Sequence, residues 1–165
     1  EDDQERVETL TDWLPPVFRL VHCRTGGAAL GLLGRAGPED FAGVMFDHDL
    51  VMHASVGAYV NGYMVGRAMV GVLANTTNVL IHSANAAASA LMVEMFAGVY
   101  PTTRIPWGTM SQYRFHVWLD EVWEEAVARH SDGPDHRRSQ RLSVLLGEDW
   151  LLAEPLPLGK IRWDD

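Results

Sequence analysis

Cysteine is almost missing from this chain. The lone Cys23 excludes an internal disulfide framework and any thiolate metal cluster within one copy, and a soluble reducing compartment is the expected setting. Basic residues are also scarce, with 13 Lys and Arg against 22 Asp and Glu for a net charge of −9. A surface of that sign is repelled by a phosphate backbone and by an anionic bilayer, so no nucleic-acid partner is expected. Long hydrophobic runs are lacking as well. The two best stretches, 54–73 and 79–99, are interrupted by Asn61 and Arg67 and by His82 and Glu94. Membrane association is therefore not favoured over buried helices. No nucleophile elbow, Walker loop, dinucleotide fingerprint, zincin motif or calcium loop occurs.

What is present suits one domain: 165 residues, 47% of them hydrophobic. With Glu rather than Met at position 1, the chain is expected to be processed or trimmed. Residues 4–14 read as a short acidic helix stopped by Pro15-Pro16, and "VFRLVHC" (17–23) as a strand. Between 38 and 53, Phe41, Val44, Met45, Val51 and Met52 recur at helical spacing. In "SVGAYVNGYMVGRAMVGVL" (55–73), Gly57, Gly62, Gly66 and Gly71 fall four or five residues apart. A glycine costs an exposed helix about 1 kcal/mol relative to alanine, so something must come close enough to repay it. The expected neighbour is the Ala- and Ser-rich stretch 79–99, read as a second helix, or an identical chain. Residues 112–130 form the clearest helix, with Phe115, Trp118, Leu119, Val122, Trp123 and Ala126 on one stripe. A short helix is expected over 137–146. The domain is bounded at 1–147, and 148–165 reads as an extended strap.

Three groups of residues invite chemistry. In "VHCRTGG", His22, Cys23 and Gly26 resemble the phosphate loop of cysteine-dependent phosphatases, although Ala29 stands where that family carries its arginine. From 17 to 73 the layout is similar to the pyrimidine-binding domain of thiamine-diphosphate decarboxylases, with Gly62-Tyr63 at the family's Gly-Tyr. The resemblance implies an open parallel sheet, with strands at 17–22, 43–47, 70–74 and 103–106. It also puts His53 where the family's activating glutamate would be. Finally, "FDHDLVMH" gathers Asp47, His48, Asp49 and His53. The pairs Asp49/His53 and His116/Asp120 share the four-residue spacing of one helix face, and two such pairs would give a nitrogen-and-oxygen metal site.

The reading taken from these features is a mainly α domain with close-packed small-residue helices. Its function is a non-catalytic structural or assembly subunit, acting in a homo-oligomer or with protein partners in a larger complex. The expected interface comprises Gly57, Gly62, Gly66, Gly71, Trp107, Trp150 and Trp163, and no cofactor is expected. The alternatives are an α/β open parallel sheet with a degenerate thiamine-diphosphate fold, and a metal-dependent helical enzyme holding a divalent ion through Asp49, His53, His116 and Asp120.

Overall fold

Two four-residue runs, Gly43–Phe46 and Asn78–Ile81, are buried at every position. Such runs have no polar face because both sides of the strand are covered, as at the centre of a parallel sheet. The computed structural model describes residues 1–50, 60–131 and 143–145. In chain order the elements are α1 (Gln4–Trp13), β1 (Arg19–Val21), α2 (Gly26–Leu33), β2 (Gly43–Phe46), α3 (Gly62–Met69) and β3 (Asn78–Ile81). They continue with α4 (Ala86–Phe96), β4 (Thr102–Arg104), a 3-10 turn at Trp107–Thr109, α5 (Gln112–Ser131) and β5 (Ser143–Leu145).

The five strands form one sheet in the order β1-β5-β2-β3-β4, with every neighbouring pair parallel. Counting β5 as the first strand turns this order into 2-1-3-4-5, that of the flavodoxin-like doubly wound sheet. The mainly α expectation is thereby corrected, and the α/β parallel alternative fits. Periodicity alone hides the strands inside 38–53 and 79–99 because a doubly buried strand has no two-residue alternation, whereas the α/β alternative expects strands at 17–22, 43–47 and 103–106, which overlap β1, β2 and β4. Strand β3 also lies later than the 70–74 of the decarboxylase layout, and residues 143–145 of the short helix expected over 137–146 form β5, the rest of that stretch lying outside the described residues.

Alternate strand residues feed two cores. Val44, Phe46, Val79 and Ile81 join Leu32, Val65, Met69, Met92 and Phe96 beneath α2, α3 and α4. Met45 and Leu80 point the other way, to Leu10 of α1 and to Phe115, Trp118, Leu119 and Val122 of α5. Helix α5 thus keeps the stripe expected of it, with Phe115, Trp118, Leu119, Val122 and Ala126 buried.

The glycines answer the question raised by their spacing. At Gly66 a Cβ would lie 2.6 Å from Met95 Cε and 2.7 Å from Phe96 Cζ, so α3 does approach α4 closely. At Gly62 a Cβ would collide with the backbone carbonyl of Asp47. Gly71 meets nothing but has φ of +84°, a turn conformation that side chains disfavour. Gly57 and the segment 148–165, with Trp150 and Trp163, lie outside the described residues. Among the described residues, no helix is long and apolar enough to cross a membrane.

Candidate functional site

In a doubly wound sheet the crevice for ligands opens outside the carboxyl ends of the strands, where the strand order reverses. Here that point falls around β5 and β2, and the chain places its buried polar residues beside it. Asp47 follows the last residue of β2, and His82 follows the last residue of β3. Glu1 and Arg6 arrive from the start of the chain and from α1, whose first turn is capped by the Asp3 side chain. A cleft of about 310 Å³, counting the solvent at its mouth, is lined by Glu1 and Asp47 with Cys23, Ala29, Phe46, Leu50 and Val65.

Arg6 is a cation of the site. Its Nη1 lies 3.4 Å from Asp47 Oδ2 and 3.5 Å from Glu1 Oε2, while its Nε is 3.4 Å from Asp3 Oδ2. The guanidinium carbon sits 5.3 Å from the centre of the Trp107 ring, which holds the side chain flat against that face. Trp107 is therefore part of the site wall, and its amide donates to the His82 carbonyl at 2.9 Å.

Asp47 is 6% exposed. Burial pushes its carboxyl up, but hydrogen bonds from the Ser83 side chain and the His48 amide help to outweigh that and hold it below the ordinary carboxylate range. The Ser83 oxygen accepts from the Asn85 amide at 3.2 Å, which leaves its proton for Asp47. Asp47 is thus an ionised acceptor with its neighbours fixed. The Glu1 carboxyl is raised by burial, and its Oε1 accepts from the amides of Asp2 and Asp3, both at 3.1 Å.

His82 has no solvent exposure, and neither ring nitrogen has a hydrogen-bond partner among the described residues. Its Nδ1 lies 3.4 Å from Glu1 Oε2, a separation that would make an ion pair only if the ring were charged. Burial drives the pKa of His82 down to about 3, so the imidazole is neutral and the contact is not an ion pair.

One ligand atom each from Glu1, Asp47 and His82 lies within 4.8 Å of the others. The donor set is that of a nitrogen-and-oxygen metal site, but the place is filled by charge already. An ion bound at the usual ~2.0–2.2 Å from these oxygens would sit against the Arg6 guanidinium. As arranged, the residues fit an internal cation and not a resident metal.

Of the residues expected to bind a metal, Asp49, His116 and Asp120 lie among the described residues. Asp49 follows β2 and bonds His48 and Asn85. On α5, Asp120 is exposed and His116 Nε2 is 2.7 Å from the Trp13 carbonyl oxygen. His53 lies outside the described residues. The phosphatase-like segment is also accounted for structurally, since Cys23 is buried at the end of β1 and Thr25 caps α2 through the Ala28 amide. Sequence reading missed Glu1, Arg6, His82, Ser83 and Asn85. The signal that would have found Asp47 and His82-Ser83 is a polar residue directly after each short apolar run.

No curated protein and no solved structure matches the chain. A family model, the cyclic-phosphate processing receiver domain, matches residues 1–98 of the 165. That match, with the parallel sheet, overturns the structural or assembly subunit as well as the thiamine-diphosphate decarboxylase half. A receiver domain is a signalling and regulatory module, and the expectation of protein partners stands in that general form. Since the matched residues make up more than half of the chain and include α1, β2, β3 and the site residues Glu1, Arg6, Asp47, His82 and Ser83, the chain belongs to the family of cyclic-phosphate processing receiver domains.

Proposed function

We propose that this domain opens a cyclic phosphate ester by hydrolysis at the carboxyl edge of its sheet. The observation that carries the reading is the meeting of Arg6, Asp47 and Ser83 at the switch point, inside the segment matched by the family. A cyclic phosphodiester carries one negative charge, and Arg6 is a cation within reach of the site. A planar guanidinium can hold two phosphate oxygens at once. The first turn of α4, capped by Asn85, begins at the same edge and adds backbone amides of the kind that bind phosphate. Asp47, ionised and braced by Ser83, accepts a hydrogen bond from the attacking water and orients it toward phosphorus.

The test is phosphorus NMR of the full chain with a nucleoside 2′,3′-cyclic phosphate and with a six-membered 3′,5′-cyclic counterpart. Conversion of one of them to its monoester is expected, with a loss of about 100-fold or more per folded molecule in Asp47→Asn. If the wild type opens neither ring, or Asp47→Asn opens it as fast, the reading is wrong. Self-association in a homo-oligomer is a separate proposal, checked by native mass spectrometry.

A further inference from the structure

Beside Asp47 the chain carries a second arrangement that the binding of phosphate does not use. The His48 amide donates to Asp47 Oδ1 at 2.6 Å, and its carbonyl accepts from the Gly62 amide at 3.0 Å. The backbone of His48 is therefore fixed on both sides, next to the carboxylate of the site. Its ring Nδ1 lies 2.6 Å from Asp49 Oδ1. Asp49 Oδ2 in turn accepts from Asn85 Nδ2 at 3.4 Å, which ties the pair to the first turn of α4. A carboxylate can only accept, so Nδ1 must be the donor, and that places the reactive position of the imidazole at Nε2. Among the described residues, Nε2 has no hydrogen-bond partner. The His48 side chain is 18% exposed, so it is held in place by Asp49 yet open to solvent, one residue along the chain from Asp47.

We propose that His48 is a catalytic residue, the general acid that protonates the leaving oxygen of the ring, with Asp49 and Asn85 as its positioning residues. The inference rests on the cyclic-phosphate reading above. Water forms the new bond to phosphorus and releases one proton to solvent. As the phosphorus–oxygen bond of the ring breaks, its electron pair stays on the departing alkoxide oxygen, which takes the proton from Nε2. His48 is then recharged from solvent, and nothing is oxidised or reduced. An imidazole oriented by a carboxylate at the opposite nitrogen is the general design for moving a proton in this way.

A general acid matters most when the leaving group is a poor one. The experiment compares wild type, His48→Ala and Asp49→Asn in the full chain on two five-membered rings. One is a nucleoside 2′,3′-cyclic phosphate, which departs as an alkoxide, and the other is catechol cyclic phosphate, which departs as a phenoxide. His48→Ala is expected to lose about 10²–10⁴-fold on the alkoxide and less than about tenfold on the phenoxide. Added imidazole is expected to restore part of the alkoxide rate, and Asp49→Asn to follow the same selective pattern more weakly. Equal losses on both rings would overturn the inference and leave the hydrolytic reading intact. A wild type inactive on both would overturn the two together.

Discussion

The two faces of the sheet differ in how closely their helices and loops approach the strands. On the face covered by α1 and α5 the filling is aromatic, with Phe115 stacked on Trp118 at 6.0 Å and Phe18 edge-on to Trp123 at 6.2 Å. Gly43 leaves room there for Trp118, whose ring would lie 3.1 Å from a Cβ. On the face covered by α2, α3 and α4, small residues let helices and loops come close to the strands and to one another. Gly62 rests on the Asp47 carbonyl, Gly66 on Met95 and Phe96, and Gly26 on Val60. Both faces bury aromatic rings, Phe46, Phe96 and Tyr100 on the second among them, but only the close approaches on that second face set where Asp47 and His48 stand. Stability and geometry are thus separable in this molecule, and substitutions should split accordingly.

Trp118→Ala is expected to give the largest effect on stability, about 3–5 kcal/mol, because a buried indole leaves a cavity that the sheet cannot close. Urea unfolding measures it, and activity per folded molecule should not change. A loss below about 1 kcal/mol would remove the distinction between the faces. Gly62→Ala should do the reverse. The added methyl meets backbone at Asp47 rather than a flexible side chain, so about 1–3 kcal/mol is lost and hydrolysis falls at least tenfold. Melting and rate measured on the same sample decide whether the two move together.

Acid sharpens the comparison further. His82 titrates at about 3 when folded but near 6.5 when unfolded. As pH falls, the unfolded chain takes up the proton first. The stability held by this neutral ring is therefore complete above about 6.5 and is lost between 6.5 and 3, by at most about 1.4 kcal/mol per pH unit. His82→Asn should flatten that slope in urea titrations, and an unchanged slope would assign the acid sensitivity elsewhere. Gly66→Ala should show the smallest effect. A clash with the ends of Met95 and Phe96 works against the gain of up to about 1 kcal/mol that alanine brings to a helix, leaving a net change under about 1 kcal/mol in melting experiments.

Parts of this architecture are legible in the residues, and the reasons differ from element to element. Helix α5 was readable because solvent on one side preserves the contrast between Trp118 and Asp120. The small-residue approach of α3 to α4 was readable from Gly66. Strand β3 was not, since "NVLI" carries no polar face and merges with helical spacing on either side, and "GVMF" of β2 was legible only through the decarboxylase-like layout with its strand at 43–47. The site was harder still. The triplet Asp47-His48-Asp49 stood out by composition, yet its meaning depends on Arg6 and on Ser83 and Asn85, which come from two other parts of the chain. Only the strand order brings those segments to one edge.

That strand order also has a consequence for how the molecule is made. Strand β5 lies between β1 and β2, and pairs Val144 with Gly43 from roughly a hundred residues away. Until the ribosome has released β5, β1 has no neighbour, and β2 presents an open row of amides and carbonyls beside a finished β2-β3-β4 ladder. Contacts of such long range make folding slow and leave the gap exposed to a second nascent chain. The last-made strand is therefore the one that closes the sheet, and aggregation during synthesis should be governed by how quickly it finds its slot.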